Sequence, residues 1–133
     1  MNVTTGTALP SLTVTFHRDT LVRYAGASTD FNPIHWSDQA AHALGLPGVI
    51  AHGMLTMGTA LRVVTDWVGD PGRVLEYHAR FPKPVLVDAD AGATVEFSGI
   101  VTGVEDGVAT VAIQATCDGT AVLGQAHATV RVG

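Results

Sequence analysis

The chain has 133 residues, of which 47% are hydrophobic and 14% are charged, and its formal net charge is −5. This size and composition predict a single globular domain over residues 1–133 and argue against a disordered chain. The negative charge argues against nucleic-acid binding, which needs clustered Lys and Arg. We expect neither a signal peptide nor a membrane span, because the start MNVTTGTALPSL lacks a basic region followed by an apolar core and no apolar run approaches ~20 residues. Because a single cysteine, Cys117, suits a reducing compartment, we expect a cytoplasmic protein.

The first half of the chain is predicted to form helices and loops after one early strand at residues 12–16. Asp19 or Thr20 can cap a short helix, and Ser37 can cap a second one. The segment 52–68 is apolar on nearly every side, which predicts a longer helix that is buried in the domain.

The second half of the chain is predicted to form an antiparallel sheet. Residues 74–81 alternate apolar with polar side chains, the pattern of a half-buried strand. Three further segments are rich in Val, Ile, Thr and Ala, at residues 93–104, 108–117 and 121–132. Asp-Gly pairs between them favour tight hairpins. We therefore expect an α+β domain in which about five strands wrap around the long helix, as in the hotdog fold, although the pattern also fits other α+β rolls.

A loop reading STDFNPIHW brings Asp30, Asn32 and His35 close together in sequence. Pro33 restricts its own backbone and that of Asn32, so the loop is expected to be stiff. Such a loop can hold a carboxylate, an amide and an imidazole around one small polar object, such as a water molecule. The residues alone leave two alternatives open: Asp30 and Asn32 are common turn formers, and Asp30, His35 and His52 could hold a metal, although no recognised metal spacing supports that.

A second candidate site is Gly53, at the start of the long apolar helix in the segment AHGMLT. The first N–H groups of a helix lack intrahelical partners, and the helix dipole is positive there. Since glycine allows close approach, the Gly53 N–H is a candidate donor to a thioester carbonyl. The alternative is that Gly53 only relieves packing and that His52 only helps to cap the helix.

Three segments resemble motifs of the MaoC-like family. YAGASTDFNPIHW resembles its hydratase-2 signature, AHGMLT its oxyanion segment, and RFPKPV its Arg-Phe-x-x-Pro-Val strand; within the family the chain looks most similar to the HadB-type catalytic subunit of (3R)-hydroxyacyl-ACP dehydratases. The resemblance implies a hotdog fold with Asp30 and His35 as the catalytic pair. It also implies that Asn32 helps to hold water and that the Gly53 N–H polarises the substrate carbonyl. One departure is Thr29, which stands where the family often has Gly.

The implied activity is (R)-specific hydration of trans-2-enoyl thioesters and the reverse dehydration of (3R)-hydroxyacyl thioesters. CoA or an acyl carrier protein would serve only as the handle of the substrate, and no metal or redox cofactor is expected. A hotdog thioesterase and a noncatalytic hotdog partner subunit are the alternatives. Family members pair as dimers, so we expect a homodimer in isolation, with a heterodimer containing a second hotdog chain as the other possibility.

Overall fold

One antiparallel sheet curves around a single long helix. The computed structural model describes residues 1–133. Its strands are β1 (Ala8–Phe16), β2 (Val74–Arg80), β3 (Ala93–Glu105), β4 (Val108–Cys117), β5 (Thr120–Ala121) and β6 (Gly124–Arg131). They follow the order β1-β3-β4-β6-β2, with the short β5 paired to β4, and every pairing is antiparallel. The predicted hotdog architecture is confirmed, with six strands where about five were expected.

Two predicted strands differ from the observed bounds by more than one residue. β1 begins at Ala8, ahead of the predicted residue 12, and its ladder with β3 shifts register between Leu9 and Leu12. The predicted strand 121–132 is divided into β5 and β6. Val122 and Leu123, which lie between the two strands, are buried.

The hairpin turns follow the predicted chemistry. Asp106 and Gly107 have φ angles of 52° and 75°, and Asp118 and Gly119 have 51° and 76°. A two-residue hairpin of type I′ needs positive φ at both central positions, which Asp-Gly tolerates well. Cys117, which ends β4 beside the second turn, is half-buried.

The helices are α1 (Arg18–Ser28), α2 (Asp38–Ala43) and α3 (Gly53–Val68). The Ser37 cap is confirmed, because its Oγ accepts the Ala40 N–H at 3.1 Å. The predicted cap of α1 is wrong by two or three residues: His17 is the N-cap residue, and its backbone N–H donates to Thr20 Oγ1 at 3.3 Å. Thr20 therefore takes part in capping from inside the first turn. None of the helices has the length and apolar character needed to cross a membrane.

The long helix α3 is buried on one face only. Its buried residues are Thr56, Ala60, Val63 and Val64, which share one side of the helix. Met54, on another side, is 61% exposed. The expectation of a buried helix thus holds for one face and is corrected for the opposite face, because one curved sheet covers a helix from one direction and leaves the other open.

Backbone hydrogen bonds join the segment before α3 to the segment after β2. The Ala51 N–H donates to Val85 O, and the Val87 N–H donates to Val49 O, both at 2.9 Å. On its other side, the Ile50 N–H donates to Ile34 O at 3.1 Å. These bonds bring the loop after α1, the start of α3 and the RFPKPV segment to the same end of the sheet.

Candidate active site

Asp30 lies directly after α1, in a loop held by its own backbone. The helix ends at Thr29, which adopts a left-handed conformation with φ of 61°. The Asp30 N–H donates to Ser28 Oγ at 3.2 Å, and Asp30 Oδ1 accepts the Asn32 N–H at 3.2 Å. The Asp30 side chain is 51% exposed. One carboxylate oxygen is therefore tied to the loop, and the other, Oδ2, is available for chemistry.

His35 presents its Nε2 atom to that second oxygen. It ends a 3₁₀ turn over Pro33–His35, and its side chain is only 8% exposed. Its Nδ1 lies 2.7 Å from the backbone carbonyl of Ile50. Because a carbonyl only accepts, Nδ1 carries a proton and Nε2 is the atom that can gain or lose one. Nε2 lies 3.9 Å from Asp30 Oδ2, too far for a direct hydrogen bond but suited to two contacts with one water molecule.

Asn32 stabilises the turn between these two residues. Its Oδ1 accepts the Ile34 N–H at 3.3 Å and caps the 3₁₀ turn. The loop is closed further by Trp36, whose Nε1–H donates to Phe31 O at 3.0 Å. The oxygen of Asn32 thus acts as a turn former. That Asn32 also helps to hold water stays a prediction.

A cavity of about 320 Å³ joins His35 to Gly53. Its lining also includes Leu46, Ile50, Ala51, Thr56, Phe81, Lys83, Pro84 and Val85. A Cβ built on Gly53 would lie 3.3 Å from the Phe81 ring, so this wall has little room for a side chain. The structure therefore brings three predicted residues together: His35 and Gly53 line the cavity, and Asp30 Oδ2 lies 3.9 Å from His35 Nε2.

Sequence reasoning missed the central position of His52. This residue is 1% exposed, and its ring stacks on that of His35 with a centroid distance of 3.8 Å and an interplanar angle of 21°. Tyr24 meets the His52 ring edge-on at 4.7 Å. The His52 Nε2 lies 3.2 Å from the backbone carbonyl of Asp30, to which it donates. Burial lowers the pKa of His52, which favours the neutral ring.

The alternative of a metal site is poorly matched by this geometry. Asp30, His35 and His52 each offer one atom, and these atoms lie within 4.8 Å of one another. However, imidazole lone pairs lie in the ring plane, and the two ring planes are nearly parallel. Two stacked rings cannot both direct a lone pair at one ion at the ~2.0–2.1 Å typical of zinc. The arrangement suits an acid–base pair supported by a stacked ring.

A salt bridge stabilises the segment that leads into α3. Asp38 Oδ1 accepts the Val49 N–H at 3.0 Å and the Arg18 guanidinium at 3.0 Å. The Val49 hydrogen bond and the Arg18 interaction lower the pKa of the Asp38 carboxyl. Both keep it ionised, so α2 stays fastened to the segment that precedes α3.

Comparisons with known proteins agree with the sequence motifs. A family model described as MaoC like domain matches residues 2–118. The 3-hydroxyacyl-thioester dehydratase X of Mycobacterium tuberculosis is 45% identical over 73 residues, which cover 55% of this chain and 25% of that protein. The 3-oxo-4,17-pregnadiene-20-carboxyl-CoA hydratase beta subunit of the same organism is 32% identical over 108 residues, which cover 81% of each chain. This chain thus spans about a quarter of the first relative and most of the second.

Solved structures agree on the fold. A MaoC-like dehydratase superposes with a TM-score of 0.96 at 40% identity, covering 99% of this chain and 41% of that chain. The ChsH1-ChsH2 complex from Mycobacterium tuberculosis superposes with a TM-score of 0.86 at 29% identity, covering 100% of both chains. The motifs, the sheet around α3 and these matches lead to one conclusion: the chain belongs to the MaoC-like domain family.

Proposed function

We propose that this chain is an (R)-specific hydro-lyase that adds water to trans-2-enoyl thioesters and, in reverse, dehydrates (3R)-hydroxyacyl thioesters. The observation that carries the proposal is the pairing of Asp30 Oδ2 with His35 Nε2 at 3.9 Å, next to a cavity that Gly53 also lines. The names of the two relatives, a hydroxyacyl-thioester dehydratase and a CoA hydratase, support it.

Asp30 and His35 supply the two proton transfers that hydration requires. A water molecule bound between them loses a proton to one group as its oxygen attaches to C3 of the enoyl chain. The other group delivers a proton to C2, so the pair ends the cycle with no net gain or loss of protons. Positioned acid–base catalysis contributes typically ~10²–10⁴-fold. Because both groups lie on one loop and face one side of the substrate, we expect syn addition and a (3R) product.

Gly53 supplies the third element, stabilisation of charge on the thioester carbonyl. Its N–H lies at the positive end of α3, where the helix dipole favours a developing negative charge. Each chemical need of the reaction therefore has a residue in this site. We propose accordingly that no metal or redox cofactor takes part, and that CoA or phosphopantetheine enters only as part of the substrate.

A second hotdog chain is expected to cover the site. Three apolar side chains next to the candidate site are exposed: Phe31 by 60%, Met54 by 61% and Phe81 by 48%. β2, which leads into the RFPKPV segment, is an edge strand with unpaired backbone groups. The similar ChsH1-ChsH2 structure is a complex of two subunits. We propose a homodimer in isolation, with Asp30 and His35 near the interface, and a heterodimer with a related chain as the alternative.

We also place this activity in the cytoplasm as part of the proposal. Cys117 is the only cysteine of the chain, which suits a reducing compartment.

The proposal is tested with crotonyl-CoA by following the enoyl absorbance and free thiol in the same reaction. We expect loss of enoyl absorbance without thiol release, and a product of (R) configuration on a chiral column. An Asp30→Asn/His35→Ala double variant is the blank. Thiol release would identify a thioesterase instead. Absence of both signals, including with longer enoyl chains, would contradict independent hydratase activity of this chain.

A further inference from the structure

His52 is a buried titratable residue that has no role in the proposed mechanism. His52 is the N-cap residue of α3, yet its side chain makes no capping hydrogen bond. N-cap positions favour Ser, Thr, Asp and Asn, whose side chains accept a helix N–H. Its Nδ1 is buried without a hydrogen-bond partner, which carries a desolvation penalty that an apolar side chain would avoid. Neither capping nor packing therefore accounts for a histidine at this position.

The contacts of the His52 ring point to both members of the acid–base pair. One face stacks on the His35 ring at 3.8 Å, and Nε2–H donates to the Asp30 backbone carbonyl at 3.2 Å. The next residue along the chain is Gly53. A single side chain thus joins the His35 ring, the backbone of Asp30 and the start of the helix that faces the substrate carbonyl.

We propose that His52 is a positioning residue: its neutral ring, donating from Nε2 to the Asp30 carbonyl, fixes the distance between Asp30 and His35 and ties both to Gly53. This inference rests on the proposed function. The groups that face the His52 ring are Asp30, His35 and Tyr24. A cation at His52 would lie against His35 and oppose the protonation of His35 that the reaction requires. Burial keeps the neutral form favoured.

Two substitutions separate the hydrogen bond from the ring. His52→Gln places an amide N–H near the position of Nε2 and removes the ring, whereas His52→Phe keeps a stacking ring and removes the donor. A misplacement of about 1 Å can cost on the order of 100-fold in rate. We expect His52→Phe to lower kcat for crotonyl-CoA by about tenfold or more with little change in KM, and His52→Gln to restore most of it.

The pH profile of kcat/KM distinguishes positioning from a purely structural role. His52→Phe should displace the limbs of the profile, because the environment of the acid–base pair changes, while His52→Gln should leave them near the wild-type positions. A folded His52→Phe variant with wild-type kcat and wild-type profile would overturn the inference. Equal losses in both variants, in proportion to a lower melting temperature, would assign His52 to stability alone.

A measurement on the wild-type protein covers the case in which the variants do not fold. Nitrogen-15 NMR of the His52 ring should show the Nε2–H tautomer at neutral pH. His52 as the Nδ1–H tautomer would refute the hydrogen bond to Asp30. The NMR result does not depend on turnover, so the two failures can be distinguished. An inactive wild-type protein would count against the proposed function, whereas the Nδ1–H tautomer of His52 would count against the positioning role.

Discussion

The Nε2 atom of His35 and the Oδ2 atom of Asp30 lie 3.9 Å apart, the first almost fully buried and the second half-exposed. Asp30→Asn and His35→Ala should each lower kcat by ~10²-fold or more, because each removes one of two proton-transfer groups. Stopped assays with crotonyl-CoA measure this, and circular dichroism checks folding. Since His35 is buried, His35→Gln is the volume-matched control and should be as inactive as His35→Ala. A folded variant with near wild-type turnover would show that its residue is not catalytic.

Gly53→Ala should reduce activity without reducing stability. The added methyl would lie 3.3 Å from the Phe81 ring, and that ring is 48% exposed and can shift slightly. The added methyl would nevertheless take up cavity space where we expect the substrate thioester carbonyl to bind. We therefore expect kcat/KM to fall by about tenfold or more. Gly58→Ala, in the same helix, is the control. A Cβ there meets nothing within 4 Å and Gly58 does not line the cavity, so stability should rise by about 0.5–1 kcal/mol with a smaller effect on activity than in Gly53→Ala. Equal activity of both variants would remove Gly53 from the site.

Stability should fall as the pH drops below the ordinary histidine range. The pKa of His52 is lowered by burial in the folded state, whereas in the unfolded chain it lies near the usual ~6.5. Below that value the unfolded chain binds the extra proton first, so protonation favours unfolding. Melting temperatures from pH 8 to pH 5 should therefore decline in the wild type and decline less in His52→Gln. The lowered pKa of Asp38 acts separately, in the more acidic carboxylate range. Parallel curves for the two proteins would contradict a neutral, buried His52.

Activity should survive removal of metal ions. The near-parallel rings of His35 and His52 offer no shared coordination point, and the proton transfers need only side chains. Prolonged dialysis against EDTA should leave turnover within error, and elemental analysis should find far less than one zinc per chain. Stoichiometric zinc, with activity lost on its removal and restored on its return, would support the metal alternative for Asp30, His35 and His52.

The isolated chain should be a dimer in light scattering at micromolar concentration. Met54→Glu, at an exposed apolar position beside Gly53, should weaken assembly and activity together. Val104→Glu is the control. Val104 is also exposed, but it lies beside the turn between β3 and β4 and does not line the cavity that contains His35 and Gly53. A stable monomer with full activity would refute the shared-site argument. A monomer that becomes active only with a second hotdog chain would establish the heterodimer.

Local chemistry explains which parts of the fold were predictable. The Asp-Gly turns and the Ser37 cap depend on a few neighbouring residues, and both are confirmed. The early part of β1 was missed because Pro10 interrupts a strand pattern. β1 is an edge strand, however, and an edge tolerates a proline whose missing N–H would face away from the sheet.

The site was predictable only as far as its motifs extend. Asp30, Asn32 and His35 belong to one short segment, so their proximity follows from the chain itself. The stacking of His52 on His35 and its hydrogen bond to Asp30 join residues far apart in sequence. Such contacts depend on how α3 docks against the loop, and periodicity carries no information about that docking. The same limit applies to Phe81 and Lys83 in the cavity wall.

The left-handed backbone of Thr29 has a consequence for the freedom of the loop that begins at Asp30. A β-branched residue at φ of 61° is disfavoured, and glycine would relieve a strain of about 1 kcal/mol or more. Glycine would also widen the conformations open to the unfolded chain, which opposes that gain in stability. Thr29→Gly should therefore change the melting temperature little while letting the Asp30 segment sample more orientations. Thr29 therefore introduces a small local strain, and it restricts the directions in which the chain can leave α1.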